Sequence, residues 1–469
     1  MTVPNRTLMA VFCQQLGVTE PALKLLLGIL AGYPLALIHR LYLYKKSEKL
    51  QCVFFTLAGL AIGFWNFGWG IFHCFFSVVF TYFVISLLKA SALSVGIVFI
   101  STFSYLLTGY ILTSSETYDI TWTMPYCILV LRLIGVAFDA YDGTYASGIS
   151  SNKTALKQVP TLLQMLGHSF FPSGFLVGPQ FSMAQFLDFS NGKFNSKGSD
   201  GKELPPDSLM ASLFRFGQGL LYLSIFQMLS FYVSDDLLIS DDFAQMCIFK
   251  KLILMGLWGR YTLYKYISCW LLTEGACIMF GLSYNKNDKG EVKWDAVTNI
   301  NLSIFENCTE FNHYIQSFNL NTNQWVAKYI YKRLKFLGNK YVSQASVLLF
   351  LAVWHGLHSG YYLTFLHEFI VIFVERDVKS FVKSNPTLEQ RLRNPIVNII
   401  VIVLLRLYTF IFIGWALLPF VFLQYPRYLT AFANCNYAGI FVHYLWPVAY
   451  GPLLKFLFKF VSTDDVKDR

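Results

Sequence analysis

The sequence predicts an all-α protein that crosses a membrane several times, and three observations lead to this fold class. Of its 469 residues, 55% are hydrophobic and only 14% are charged, whereas soluble domains contain about 25% charged residues. The mean hydropathy is +0.48. Apolar runs of about 20 residues, the length of a membrane helix, recur almost to the C-terminus. We therefore expect a single membrane domain over residues 1–469.

Each long apolar run is a predicted membrane-spanning segment. About eleven such segments are expected by the length criterion, beginning near residues 22, 51, 72, 94, 124, 160, 209, 246, 341, 395 and 433. Residues 1–21 form an N-terminal segment before the first of them. Lys45, Lys46 and Lys49 follow the first span, which places that loop in the cytosol by the positive-inside rule.

The charge and the cysteines exclude several classes of protein. A net charge of +10 fits loops that face anionic headgroups, and no soluble basic domain is available to bind nucleic acid. The nine cysteines form no CxxC pair and are typical of packed, free thiols. His355 and His358 are three residues apart, but no nearby ligand completes a metal site, so we expect none.

Residues 284–340 are predicted to be a cytosol-side loop followed by an interfacial helix. Read as a helix, residues 325–337 place Lys328, Lys332 and Lys335 on one face and apolar residues on the opposite face. A helix with a basic stripe and an apolar stripe is typical of the membrane interface.

His355 stands out because it lies inside the apolar run 348–362. Ionisable side chains within a span usually face a cavity or the interior of the bundle. A neutral imidazole, with a reference pKa near 6.5, accepts a proton at neutral pH. Gly356 and Gly360 allow another helix or a substrate chain to approach closely. The alternative interpretation is a hydrogen-bonded histidine of the core.

A second polar cluster, residues 317–325, precedes the interfacial helix. Asn319, Asn321 and Asn323 alternate along it. We expect Thr322 or Asn323 to cap the helix. Capping does not require three asparagines, so the excess predicts polar groups that contact a ligand.

Asn319, followed 36 positions later by His355 in the Trp354-His355-Gly356 motif, resembles the residue pair of the membrane-bound O-acyltransferase (MBOAT) family, in its lysophospholipid branch. The supporting motifs, spread over residues 25–375, are Trp122-Thr123-Met124-Pro125, Gly174–Ser182, Tyr264-Lys265-Tyr266, Thr273-Glu274-Gly275, Lys293-Trp294-Asp295 and Lys332–Lys340.

The resemblance implies an MBOAT fold, with transmembrane helices around a central chamber that holds His355 and Asn319. It implies acyl transfer from acyl-CoA to a lysophospholipid, without a cofactor, in contact with membrane lipids. We expect the protein to be a multi-pass protein of the endoplasmic reticulum membrane; the sequence leaves a homodimer open. Lys328, Lys332 and Lys335 are candidates to bind the phosphates of coenzyme A.

Further candidates for substrate contact accompany this pair, although packing or a surface ion pair explains each of the first four at least as well. They are Trp294, Asp295, Gln180, Glu274, Asn321, Asn323 and His358. Arg132 and Asp139 are predicted to form a structural pair, because charges inside a span tend to pair.

Two other functions stay open at this point. The first keeps acyl transfer but changes the acceptor to a sterol, a diacylglycerol or a peptide. The second is a channel or transporter that uses the intramembrane histidine as a proton relay. The Asn319 and His355 pair and the absence of an internal repeat argue against the second.

Overall fold

The computed structural model describes residues 8–115, 120–145 and 153–464, and helices dominate it. In chain order the helices are α1 (Leu8–Leu16), α2 (Glu20–Leu30), α3 (Gly32–Ile38), α4 (Glu48–Phe67), α5 (Ile71–Leu87), α6 (Ala92–Thr113), α7 (Thr123–Tyr145), α8 (Leu162–Ser169), α9 (Met183–Ser190), α10 (Leu209–Leu229), α11 (Asp235–Leu238), α12 (Asp241–Ala244), α13 (Ile248–Phe280), α14 (Leu302–Glu306), α15 (Phe311–Ile315), α16 (Leu320–Val326), α17 (Lys340–His355), α18 (Ser359–Lys383), α19 (Pro386–Leu392), α20 (Pro395–Phe422), α21 (Tyr425–Asn434) and α22 (Gly451–Asp464).

Two small antiparallel hairpins are the strands of the described chain. They pair β1 (Ser196–Lys197) with β2 (Glu203–Leu204) and β3 (Asn285–Lys286) with β4 (Val292–Lys293). Of the predicted N-terminal segment 1–21, residues 1–7 lie outside the described residues.

Six helical stretches of the described chain are long and apolar enough to cross a membrane, so the chain is a polytopic membrane protein. They are Glu20–Leu43, Glu48–Leu87, Ala92–Thr113, Thr123–Tyr145, Leu209–Leu229 and Pro395–Phe422. The predicted segments near 51 and 72 both fall in the second stretch, where α4 and α5 are separated by a short 3₁₀ turn, Gly68–Gly70.

Four predicted segments do not form apolar helices of span length. The segment near 160 contains α8, whose eight residues reach only about 12 Å at 1.5 Å per residue. The segment near 246 is the 33-residue α13, which carries several charged side chains. The segment near 341 is the 16-residue α17, and the segment near 433 is broken into π-helical turns.

The described chain divides into two compact units. The first comprises residues 1–223, 266–300 and 319–333, and the second comprises residues 224–265, 301–318 and 334–469. Asn319 belongs to the first unit and His355 to the second.

Helix α7 is the central helix of the first unit and packs against α5, α6 and α8. Of its apolar window, 78% is buried, against 17–28% for the other five spanning stretches. The polar groups of α7 therefore need partners inside the protein. An aromatic cluster elsewhere in this unit packs Phe55 against Phe171, Phe186, Phe189 and Phe280.

In the second unit, α18 packs against α17 and α20. Trp415 of α20 is fully buried. Its ring stacks on His367, with 4.2 Å between centroids, and on His443, at 5.3 Å. These two histidines are part of the packed core.

Close packing of α4 against the chain after α8 gives a first prediction. A Cβ atom added at Gly59 would lie 1.8 Å from the carbonyl oxygen of Phe170. We expect Gly59→Ala to lower the stability by about 1–3 kcal/mol, because overpacking forces backbone shifts. The apparent melting temperature of the purified protein in detergent measures this effect.

The matched control is Gly96→Ala in α6, because a Cβ atom there meets nothing within 4 Å. Equal melting temperatures for the two variants would contradict the close approach of α4 to Phe170.

Candidate active site

His355 is the last residue of α17, and aromatic rings surround its imidazole. The ring centroids of Trp354, Tyr361, Phe365 and Phe420 lie 4.6, 5.7, 5.6 and 5.0 Å from that of His355. All four belong to the same unit. Tyr361 and Phe365 are four residues apart and so project from one face of α18. The plane of the imidazole is thus fixed by packing.

Hydrogen bonding distinguishes His355 from most other histidines of the chain. Six of the eight have a hydrogen-bond partner: His39, His73, His168, His313, His367 and His443. Within the described residues, His355 and His358 have none. Both ring nitrogens of His355 are therefore without a hydrogen-bond partner among the described residues. This does not match the alternative interpretation of His355 as a hydrogen-bonded histidine of the core.

Two glycines close to His355 in the sequence allow close packing of the neighbouring chain. Gly356 has a φ of +148° and ends α17; a Cβ atom there would lie 2.7 Å from the Tyr361 ring. At Gly360, a Cβ atom would lie 2.0 Å from the carbonyl oxygen of Pro419 in α20. The predicted close approach of another helix at Gly356 and Gly360 is confirmed.

Asn319 adopts a left-handed conformation, with φ 53° and ψ 44°, directly before α16. Asparagine tolerates this region better than most residues. Asn319 occupies the N-cap position, so the expectation that Thr322 or Asn323 caps this helix is wrong. Its side chain makes no capping hydrogen bond, which is unusual for an asparagine at this position.

Asn299 explains why the Asn319 carboxamide is not used for capping. The N–H of Leu320 donates to the Asn299 carbonyl at 3.0 Å, and the N–H of Asn321 donates to Asn299 Oδ1 at 3.0 Å. The first N–H groups of a helix need such acceptors. Because Asn299 supplies them from another segment, the Asn319 carboxamide is left for other contacts. No local pattern in the sequence points to Asn299.

A buried ion pair holds the segment that carries Asn299. Glu274 is 1% exposed; its carboxylate pairs with Arg215 at 3.0 Å and accepts a hydrogen bond from Thr298 Oγ1 at 2.6 Å. The backbone of Asn299 also donates to it. The carboxylate of Glu274 therefore has protein partners, which is the ion-pair alternative to its predicted contact with substrate.

Asn321 and Asn323 make hydrogen bonds that hold α16 in place. The Asn321 amide donates to the carbonyl oxygens of Val297 and Thr298, at 3.0 and 3.3 Å, so this side chain ties α16 to the Asn299 segment. The N–H of Asn323 donates to the Asn319 carbonyl at 3.1 Å and closes the first turn of the helix.

Arg132 of α7 organises the predicted Gly174–Ser182 motif. Its guanidinium donates to the carbonyl oxygens of His168, Ser169, Gly174 and Pro179 and to Gln180 Oε1, at 2.8–3.3 Å. It also lies 4.4 Å from the centre of the Phe181 ring. Five oxygen acceptors thus stabilise this buried cation, so its predicted pairing with Asp139 is wrong.

Asp139 instead pairs with Lys328, at 2.7 Å between Oδ1 and Nζ. Lys328 also donates to Thr154, and the Tyr329 hydroxyl donates to Asp139 Oδ2 at 2.8 Å. One turn further along α7, Asp142 pairs with Arg333 at 2.6 Å. Lys328 is therefore tied to α7 and differs from Lys332 and Lys335, which are exposed.

The predicted interfacial helix is helical, but its winding changes twice. The α-helical turns of α16 pass into a π-helical turn, Ala327–Tyr331, and then into a 3₁₀ segment, Lys332–Leu337. Trp325 and Tyr329 are buried, whereas Phe336 is exposed. The wider turn includes Lys328 and Tyr329, the two side chains that contact Asp139.

A cavity of about 230 Å³ lies within the first unit, beside α7 and α16. Its polar lining includes Arg132, Asp139, His168, Gln180, Asn321 and Lys328, and its aromatic lining includes Phe181, Trp325 and Tyr329. Ligand pockets usually have volumes of about 300–1,000 Å³. This cavity can therefore take part of an amphiphilic molecule.

The structure brings Gln180 together with Asn321 and Lys328 in the cavity lining, whereas Trp294 and Asp295 are not part of that lining. Gln180 lines the cavity, and its amide group is held by Arg132 and by the Ile128 carbonyl. Trp294 packs edge-on against Tyr284. Asp295 is exposed and accepts a hydrogen bond from Asn285 at 2.9 Å, rather than pairing with Lys293.

His358 occupies the N-cap position of α18. Its ring lies edge-on to Tyr361, with 6.3 Å between centroids.

The support beneath Asn319 gives a second prediction. Glu274→Gln keeps the shape of the side chain but removes the charge that pairs with Arg215. We expect the free energy of unfolding to fall by about 3 kcal/mol, because breaking a buried ion pair leaves one charge without its partner. The apparent melting temperature in detergent should fall clearly.

Glu306→Gln is the control, since it breaks a looser Arg–Glu pair, to Arg260 at 3.4 Å, whose carboxylate is 34% exposed. If the two variants melted together, the buried pair would not carry the stability assigned to it.

Comparison with known proteins places this chain in a family. The sequence model of the membrane-bound O-acyltransferase family matches residues 107–418. "Lysophospholipid acyltransferase 5" of Drosophila melanogaster is 41% identical over 96% of this chain and 90% of its own length. The Homo sapiens protein of that name is 39% identical, covering 90% of this chain and 87% of its own.

"Lysophospholipid acyltransferase 5" of Caenorhabditis elegans is 32% identical over 94% of this chain and 93% of its own length. The family model covers well over half of the chain and includes both Asn319 and His355. The chain belongs to the membrane-bound O-acyltransferase family.

Proposed function

We propose that this protein transfers a fatty acyl group from acyl-CoA to the free hydroxyl, at the sn-2 position, of lysophosphatidylcholine and related lysophospholipids. The observation that carries the proposal is the near full-length similarity to proteins named lysophospholipid acyltransferase 5. The imidazole of His355, the second residue of the Trp354-His355-Gly356 motif, has no hydrogen-bond partner among the described residues. This also supports acyl transfer, which needs a base.

His355 is proposed as the general base. The hydroxyl oxygen of the lysolipid attacks the thioester carbonyl carbon while His355 takes the hydroxyl proton. The tetrahedral intermediate then collapses, the carbon–sulfur bond breaks, and His355 returns the proton to the sulfur of coenzyme A. The products are one ester and one free thiol. General base catalysis typically contributes about 10²–10⁴ in rate.

The surroundings of His355 suit this reaction. Trp354, Tyr361, Phe365 and Phe420 line the imidazole with apolar rings. Water that reached the thioester would hydrolyse it, so a site for acyl transfer must keep water out. Packing also holds the ring in one orientation, which favours proton transfer at a fixed geometry.

Asn319 is proposed to donate its amide N–H to the oxygen of the thioester carbonyl as negative charge develops there. Donors of this kind stabilise the intermediate most when they are held in place beforehand. Asn299 and the Glu274–Arg215 pair hold the backbone of the Asn319 turn. No cofactor is needed for this reaction, because acyl-CoA supplies the activated acyl group.

The phosphates of coenzyme A are proposed to bind at Lys332 and Lys335. Both ammonium groups are exposed, and a pair of cations attracts a polyanionic group. Lys328 is omitted from this role because Asp139 occupies it. We also propose residence in the endoplasmic reticulum, tested by fractionation with a marker enzyme of that membrane.

The experiment that tests the function is an acceptor screen with labelled oleoyl-CoA and the purified full-length protein. Lysophosphatidylcholine should be esterified, whereas a sterol, a diacylglycerol and a peptide should not. His355→Ala should lower the rate by about 10²-fold or more, because the base is lost. His73→Ala, at an exposed histidine bonded to Tyr105, should retain the activity of the natural protein.

Full activity of His355→Ala would exclude it as the base. Transfer to one of the other acceptors in place of lysophosphatidylcholine would exclude the proposed substrate.

A separate series tests the Asn319 carboxamide. Its φ is positive, so alanine would change both the backbone and the side chain. Asn319→Gly removes the carboxamide and retains the conformation, since glycine adopts positive φ freely. We expect about a 10²–10³-fold loss of kcat, the typical effect of removing one oxyanion donor. Normal melting with low kcat would support the role.

Asn319→Asp is the complementary variant, because it keeps the size of the side chain and replaces the donor with an acceptor. It should be as inactive as Asn319→Gly. If either variant had normal kcat, donation by Asn319 to the oxyanion would be wrong.

A further inference from the structure

A groove on the second unit is lined by residues other than those around His355. Its volume is about 200 Å³, and it is formed by the first turns of α17 and the last turns of α18. Phe369, Ile372 and Phe373 form its apolar wall, and its polar groups include Tyr341, Gln344 and Arg376. None of these side chains contacts His355, and no step of the proposed reaction uses them.

The charges at this end of α18 are largely neutralised within the protein. Glu375 accepts hydrogen bonds from the N–H of Phe311 at 2.9 and 3.1 Å. Asp377 pairs with Lys455 at 2.7 Å and accepts from Trp446 at 2.9 Å. Lys379 pairs with Glu310. Each of these side chains therefore has a partner that offsets its charge or its hydrogen-bonding need.

Arg376 differs from its neighbours. Its guanidinium is exposed, and among the described residues it meets no carboxylate; its contact is to the neutral Gln344 Oε1 at 3.4 Å. A guanidinium presents several N–H groups in a fixed plane that suits two oxygens of a phosphate. The groove thus has one cation whose charge is not offset, next to an apolar wall.

The position of the groove along α18 indicates the environment of its ligand. Residues 369–374 are apolar, whereas residues 375–377 and 379 are charged. A change of this kind is typical of the boundary between hydrocarbon and headgroups. Phe373 is 42% exposed, and Leu366 of α18 and Leu349 of α17 are 48% and 59% exposed, so an apolar surface continues away from the groove.

We propose that this groove binds an anionic membrane phospholipid, with its phosphate on Arg376 and one acyl chain along Phe369 and Phe373. An anionic lipid is favoured over a zwitterionic one because Asp377, the carboxylate of the groove, is occupied by Lys455. Among the described residues that line the groove, no free acid remains to hold a choline or ethanolamine cation. The proposal is independent of the proposed acyl transfer.

Native mass spectrometry of the purified full-length protein tests this site. The protein is titrated with dioleoylphosphatidic acid and, separately, with dioleoylphosphatidylcholine. The natural protein should bind phosphatidic acid more tightly. Arg376→Gln should weaken this binding about tenfold or more, the typical consequence of losing hydrogen bonds to a charged group. Arg376→Lys should retain part of the affinity, because it keeps the charge but not the planar donor geometry.

Lys383→Gln is the matched control, since Lys383 is an exposed cation of the same helix that does not line the groove. It should change the affinity by less than about twofold, as expected for a distant, screened charge. Because Arg376 is exposed, its variants should melt like the natural protein. Unchanged binding in Arg376→Gln, an equal loss in Lys383→Gln, or equal binding of both lipids would overturn the proposal.

Discussion

The first turn of α16 depends on hydrogen bonds that it receives from another segment. Helix starts usually use the side chain of their own N-cap residue, but here Asn299 accepts the N–H groups of Leu320 and Asn321. Because of this arrangement, the Asn319 carboxamide is not needed to cap the helix. The arrangement also requires that Asn299 be held firmly, which the buried Glu274–Arg215 pair accomplishes. A supporting layer of buried polar groups thus leaves one amide available to a ligand.

His355 is also held in place without hydrogen bonds to its reactive atoms, in this case by packing. Its orientation is fixed by four aromatic rings and by two glycines that let α18 and α20 approach. Stacking constrains the ring without occupying its nitrogens, whereas His443 has both nitrogens in hydrogen bonds, to Tyr408 and the Gly439 carbonyl. A general base and an oxyanion donor must be held in position while their reactive atoms stay free of hydrogen bonds to the protein.

Hydrophobic runs in the sequence predicted the helical membrane fold, because such runs are visible in one dimension. The roles of His355 and Asn319, which came from a lone intramembrane histidine and from the family resemblance, stay predictions. The partners of the buried charges were not predictable. Asp139 is seven residues from Arg132 but pairs with Lys328, 189 positions away, and Arg132 binds the carbonyl oxygens of a folded loop. Asn299 gave no local signal either, since its role exists only once two distant segments meet. Tertiary contacts decide which polar residues support the site and which remain free.

His355 is proposed to remove a proton from the lysolipid hydroxyl without carrying the acyl group itself. Intact-protein mass spectrometry after mixing the enzyme with oleoyl-CoA, without any lysolipid, tests this most directly. Direct transfer predicts an unchanged protein mass and no release of free coenzyme A until lysophosphatidylcholine is added, because no bond to the protein forms. A protein carrying one oleoyl group, with the label mapped to His355 or to another side chain, would contradict it.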